Sequence, residues 1–282
     1  MEAVFNTLAN NKLSIEFFNA VGLPRLSAYW PYTIVAAAAF EAIFRLAGVI
    51  TPLLFSSMWS RMKKVNRYKW CVRKVSTCHA AYMVTRSLVV IANTKLRNNP
   101  VHGSDAVAES AYAVTLGYFL WDIINTYQNI DVNGWQFMIH GIMSFGVYLL
   151  SFSPLLQYYG ACFMMFEIST LFLNVHNSLE DLNLQDFILY FINGMALVSS
   201  FFFARIVYGT MISINVWREL ANSTLPINPL ASGFIKLANI VLLSLSYYWF
   251  GVIIMTVKRS ALDVDLIRAI NEMENHEDLK VE

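Results

Sequence analysis

The sequence predicts an all-α, polytopic membrane helical bundle of about seven transmembrane helices, and three observations carry that prediction. Hydrophobic residues make up 57% of the 282-residue chain and charged residues only 14%, where a soluble domain carries roughly 25% charged. Mean hydropathy is +0.48. Residues 134–166 and 237–257 contain no Asp, Glu, Lys or Arg, and a bilayer-crossing helix needs about 20 apolar residues. The same figures exclude an ordinary cytosolic enzyme, a disordered chain and a secreted disulfide scaffold. Twenty basic against nineteen acidic side chains leave a formal charge of +1, so no nucleic-acid partner is expected.

Residues 1–28 are expected to form a lumenal or outer N-terminal segment. They lack the basic start, compact apolar stretch and small-residue cleavage site of a signal peptide, since Glu2, Asn10, Asn11, Lys12 and Glu16 interrupt the pattern. The first span is predicted at 29–55. Glu41 and Arg45, four residues apart within it, are placed to neutralise each other on one helical face. Residues 56–74 then read as a basic loop: Arg61, Lys63, Lys64, Arg67, Lys69, Arg73 and Lys74 have no acid among them. Positive charge marks the cytoplasmic side.

A membrane domain is expected over 69–257, with spans near 75–93, 107–127, 135–152, 154–176, 187–217 and 234–257. The charge-free run 134–166 is too long for one helix, and Ser151, Ser153 and Pro154 provide a break. Alternation through these spans puts the N-terminus outside or in the lumen and residues 258–282 in the cytoplasm, as Lys258 and Arg259 independently suggest. In that tail Leu262, Leu266, Ile270 and Met273 recur at helical spacing among acids, which predicts a solvated amphipathic helix. The sequon at Asn222, Ser223 and Thr224 falls in the loop before the last span, on the lumenal side, and makes Asn222 a candidate glycosylation site. Cys71, Cys78 and Cys162 are odd in number and form no CxxC pair, so buried thiols and no disulfide are expected.

Ionisable groups inside spans are costly and need a partner, a cavity or a function. The second span aligns His79, Tyr82 and Arg86 on one stripe, and the third aligns Tyr118, Asp122 and Asn125. His140 and Ser144 share a face of the fourth. Glu167, Thr170 and Asn174 share one of the fifth, with His176 near its end, and the sixth carries Asn193 and Arg205. Turned inward, these stripes predict a polar-lined interior shared by His79, Asp122, His140, Glu167 and Arg205. Arg205 is expected within reach of a carboxylate or a lipid headgroup, because an unpaired guanidinium there is too costly. A neutral imidazole oriented by a carboxylate can take a proton or an acyl group, so His140 with Glu167 or Asp122 forms the candidate catalytic set. His79, Arg86, Tyr118, Asn174, Asn193 and Arg205 are the candidate cavity-lining, lipid-contacting residues. No metal site or cofactor is expected: HxxxH and HExxH spacings and a phosphate-cradling glycine loop are all absent.

Several segments, taken in order, resemble the TLC domain (named for TRAM, Lag1 and CLN8). Trp70, Arg73, Ser76 and His79 in WCVRKVSTCHA look like its opening, and Gly117, Tyr118 and Asp122 in GYFLWD like its third-helix pattern. His140 in WQFMIHG matches the mid-domain histidine. FEISTLFLN at 166–174 and FFFARI, ending in Arg205 and Ile206, are family-like as well. The resemblance covers roughly 69–217 and points to the TLC-domain-containing proteins once named as transmembrane proteins rather than to the ceramide synthases. Ceramide synthases carry a second histidine where this chain has Gly141, and a His-Asp pair followed by an Asp where it has Phe166, Glu167 and Thr170.

The resemblance implies a multi-pass protein of the endoplasmic reticulum acting in lipid homeostasis or membrane phospholipid composition, with membrane lipids as partners. The plasma membrane is the alternative location. The alternative activity is a ceramide-synthase-like N-acyltransferase using acyl-CoA, with His140 as base or nucleophile, Glu167 orienting it, and Asp122 or Arg205 positioning substrate. A lipid transporter is a weaker third reading, because no inverted repeat is visible.

Overall fold

The computed structural model describes residues 7–9 and 11–278, with side chains as far as residue 259. Helices account for nearly all of it, and no strand occurs among the described residues. The principal helices are α1 (Lys12–Ala20), α2 (Leu26–Leu54), α3 (Lys64–Ile91), α4 (Ala106–Gln128), α5 (Trp135–Leu150), α6 (Gln157–Met164), α7 (Glu167–Asp181), α8 (Ile188–Phe201), α9 (Gly209–Asn222) and α10 (Pro229–Asp278). A π-helical turn, Phe202–Tyr208, joins α8 to α9 without a break. Among the described residues three helices are long and apolar enough to cross a membrane: Leu26–Leu54, the continuous Ile188–Asn222, and Pro229–Arg259. Trp135–Leu150 is a shorter apolar helix. The described helix of α10 runs on to Asp278, but the side chains that would define an amphipathic face at 261–282 lie outside the described residues.

Neighbour contacts close the helices into a ring in the order α2, α4, α5, α10, α8–α9, α7, α3 and back to α2, with the short α6 packed inside against α3, α4 and α9. α2 and α4 cross closely. A Cβ on Gly117 would lie 2.5 Å from the Thr33 carbonyl oxygen and 2.6 Å from the Ala36 Cβ, so only hydrogen at that position lets the two backbones meet, the small-residue packing used where lipid offers no hydrophobic drive. Outside the ring the helices present apolar side chains, such as Leu46, Val49, Ile50 and Leu53 on α2 and Ile188, Phe191, Ile192 and Met195 on α8. Exposed apolar stripes on so many helices suit a surface that faces hydrocarbon rather than water.

Three local expectations change. The segment 56–74 is not a loop: Ser56–Arg61 is a short helix, and the basic residues from Lys64 to Lys74 occupy the first turns of α3. The single span expected at 154–176 is two helices. The chain after α5 turns back into the ring, with Phe152, Leu155, Leu156 and Gln157 all buried and Leu156 in the left-handed region at φ 56°, and a further turn at Met165 and Phe166 separates α6 from α7. Irregular backbone at such depth is tolerable because protein covers it. Cys71 and Cys162 are buried as expected, but Cys78 is exposed. It stands on the outward stripe of α3 that continues through Ala81, Thr85 and Leu88.

The ends of the bundle are tied by polar contacts. At the basic end Arg73 pairs with Asp181, and Lys74 donates to Ser178 Oγ at 3.0 Å, fastening α3 to α7. Burial raises the Asp181 carboxyl above the usual carboxylate range despite the Arg73 guanidinium beside it, and lowers the Lys74 ammonium, with the charge of Arg73 adding to that fall. Glu41 binds Arg45 at 2.7 Å, as the four-residue spacing predicts, and also accepts from Trp121 Nε1 at 2.9 Å. At the opposite end Gln157 is fully buried. Its amide donates to Glu109 at 3.2 Å and to the Ser151 carbonyl at 3.0 Å, and its side-chain oxygen accepts from the Asp105 N–H at 3.0 Å. Asp105 in turn caps α4, and Arg25 reaches Glu109 at 3.6 Å.

Candidate functional site

The interior of the ring holds a cavity of about 100 Å³, room for several water-sized groups. His140, Ser144 and Tyr148 reach it from α5, Tyr159, Phe163 and Met164 from α6, and Glu167 from the first residue of α7. Arg205 enters from the π turn, and Asn239, Leu242, Leu243 and Ser246 from α10. The walls are mostly apolar, and the polar groups converge from different helices, the usual character of a small-molecule site.

Arg205 owes its position to the π turn. Asn193, Leu197, Phe201, Arg205 and Gly209 are buried at every fourth residue, whereas an ideal α-helix would drift by about 40° over each such step. The wider turn at Phe202–Tyr208 absorbs that drift and keeps Arg205 facing inward, and inserted turns of this kind are common at functional sites. Its Nε donates to Ser169 Oγ at 2.8 Å and its Nη2 to Thr170 Oγ1 at 2.9 Å. The guanidinium also lies 5.1 Å from the Phe201 ring centroid and 5.6 Å from that of Phe166. Among the protein's own groups, hydroxyls and aromatic faces hold it, where the expectation was a carboxylate or a lipid headgroup. Glu167 lines the same cavity but forms no ion pair with it within 4.0 Å among the described residues.

His140 sits between aromatic edges, its ring 6.0 Å from that of Phe119 and 5.5 Å from that of Trp249. Its Nδ1 is buried without a hydrogen-bond partner. Behind Phe119 lies a second layer. The His79 ring stacks on Tyr118 at 3.8 Å and 4°, and its Nε2 is likewise buried and unpartnered. One turn further along α4, Asp122 faces Gly141: a Cβ there would come within 3.3 Å of Asp122 Oδ2 and 3.1 Å of Ile123 Cγ1. The space that a second histidine would need is thus filled from α4.

Of the residues expected to share one interior, His140, Glu167 and Arg205 line the cavity, while His79, Tyr118 and Asp122 form the adjacent layer without reaching it. The others do structural work. Asn174 donates to Ser76 and Thr77 on α3 at 3.2 and 3.1 Å, and Asn193 to the Phe172 carbonyl at 3.0 Å. Both are helix clamps. Arg86 turns toward the opposite end and meets Ser110 at 3.4 Å. Asn222 is exposed at the end of α9, where the neighbouring Ser223 hydroxyl lies 3.0 Å from His102 Nε2. Sequence reasoning missed Asn239 and Ser246, whose seven-residue spacing inside the charge-free run 237–257 was the available signal.

Residues 69–255 match the family model of the TLC domain. The chain belongs to the TLC domain family. It is 29% identical over 246 residues to a TLC domain-containing protein of Schizosaccharomyces pombe, covering 87% of this chain and 84% of that one. It is 25% identical over 191 residues to TLC domain-containing protein 4 of Homo sapiens, covering 64% and 73%. Topoisomerase I damage affected protein 4 of Saccharomyces cerevisiae is 27% identical over 179 residues, covering 62% and 64%. Two of these three relatives are named as TLC domain-containing proteins and none as a ceramide synthase, in keeping with Gly141 and with Phe166, Glu167 and Thr170 at the substituted positions.

Proposed function

We propose that this TLC-domain protein crosses the endoplasmic reticulum membrane seven times and acts in lipid homeostasis, holding part of a membrane lipid in the cavity of His140, Glu167 and Arg205. The observation that carries this reading is the cavity's composition, a buried cation, a carboxyl group and an imidazole set in apolar walls, which suits an amphiphile with a polar head and a chain. Asn239 and Leu243 line both the cavity and a groove on the outer surface between α9 and α10, so a lipid has a short route inward. In the seven-span arrangement α3, α4, α5 and the α6–α7 pair cross together with the three long apolar helices, and the basic start of α3 faces the cytoplasm. The sequon then faces the lumen. An endoglycosidase-sensitive mobility shift, lost in Asn222→Gln, is the expected check, and a C-terminal tag protected in sealed microsomes would overturn the orientation.

Cells lacking the protein should show altered phospholipid acyl composition, while purified protein given acyl-CoA and a sphingoid base should form no amide above background. Unchanged lipid composition on deletion would refute the homeostasis reading. The acyltransferase is the second reading, favoured by one observation: the unpartnered Nδ1 of His140 in a cavity that also holds Glu167. In that case His140 takes the amine proton as the amide bond forms and the thiolate of coenzyme A leaves. Turnover of acyl-CoA that His140→Ala abolishes at unchanged abundance would put the enzyme in place of the regulator.

A further inference from the structure

The groove between α9 and α10 has a volume of about 600 Å³ and a mostly apolar lining that includes Ile214, Ile240 and Leu243. Two features distinguish it from the plain hydrocarbon-facing surface around it. A polar bridge crosses it: Asn239 donates to Ser213 Oγ at 2.9 Å and accepts from Trp217 Nε1 at 3.0 Å. Beyond the bridge, at the end of the bundle away from the basic start of α3, stand two cations. Arg218 lines the groove and makes no hydrogen bond or ion pair among the described residues. Among the described residues the Lys236 ammonium meets the Trp217 ring, at 5.8 Å from its centroid, and makes no hydrogen bond or ion pair. No acidic residue is among the described residues that line the groove.

We propose that this groove binds one anionic glycerophospholipid. The phosphate sits between Arg218 and Lys236, the glycerol esters meet the Asn239–Ser213 bridge, and one acyl chain runs past Ile214 and Leu243 toward Tyr247. Trp217 marks the membrane–water interface, the level where a phosphate belongs. The sign of the charge selects the lipid class: two cations facing one phosphodiester leave a positive surplus, which the ammonium of a zwitterionic headgroup would aggravate. The site deepens the lipid-handling reading, since Asn239 and Leu243 line both it and the cavity of His140, and it rests on that reading for its purpose only.

The test is native mass spectrometry of the full chain released from micelles holding equal phosphatidylglycerol and phosphatidylcholine with matched acyl chains. Wild type should retain phosphatidylglycerol preferentially. Arg218→Gln and Lys236→Gln should each lower that preference about fivefold, the worth of one basic residue at an anionic surface, and Arg218→Lys should keep it. Arg218 is exposed and Lys236 half-buried, and the retained fold is checked by thermal unfolding. Equal retention of the two lipids by wild type, or a preference unchanged in the double glutamine variant, overturns the proposal. His140→Ala should leave the preference in place. If His140→Ala removes it while the glutamine variants do not, the lipid belongs to the cavity, and the groove fails while the cavity reading stands.

Discussion

Two buried polar regions of this bundle are built on opposite plans. Around Gln157 every side-chain polar atom has a partner, and Glu109, Asp105, Ser151 and Arg25 complete one another at the end of the ring. Tyr112 adds a hydrogen bond to the Gln157 carbonyl. Around His140 the accounting is left open: Nδ1 of His140 and, one layer back, Nε2 of His79 are buried without partners, and Arg205 is held by hydroxyls and rings. A closed network serves stability, because any missing member strands the others. An open one keeps capacity for something that binds.

The largest effect should come from breaking the closed network. Gln157→Leu would take a partner from the Asp105 N–H, from the Ser151 carbonyl and from the buried Glu109 carboxylate, which keeps only Arg25, so a loss of about 3 kcal/mol is expected, seen as reduced abundance in membranes and a lowered thermal midpoint in detergent. A midpoint within error of wild type would mean that water satisfies this end instead. Arg205→Leu should cost less, about 2 kcal/mol, because its neutral hydroxyl partners survive without it, and Arg205→Lys should be milder still. Equal abundance of wild type and Arg205→Leu would show that the guanidinium is kept for ligand alone. His140→Ala should be the smallest perturbation of the fold, within about 1 kcal/mol, since it removes an atom that has no bond to lose. Its effect should fall on the lipid phenotype. A large loss of stability in this variant would erase the contrast between the two regions.

Much of the architecture was legible in one dimension. The Glu41–Arg45 pair followed from four-residue spacing, and most predicted spans lie within observed helices or overrun them by no more than two residues. The segment 154–176 did not, because a buried left-handed turn at Leu156 has no signature in hydropathy. The candidate site was half legible. His140, Glu167 and Arg205 were placed by their cost in an apolar helix and by resemblance, but the same reasoning nominated Asn174 and Asn193, which spend their amides on neighbouring helices.

The sequence by itself determined the class of molecule, because 57% hydrophobic residues and two charge-free runs leave no soluble alternative, and its family, because the ordered motifs survive between residues 69 and 206. Tertiary structure alone decided which polar groups meet. Periodicity says that residues share a face, but neither the direction of that face nor its height against another helix is written in it. The π turn at Phe202–Tyr208 makes the point: widening one turn changes the phase of everything that follows, and that change, with the inward fold of α6, is what sets Arg205 beside Ser169 and opposite His140 across one cavity.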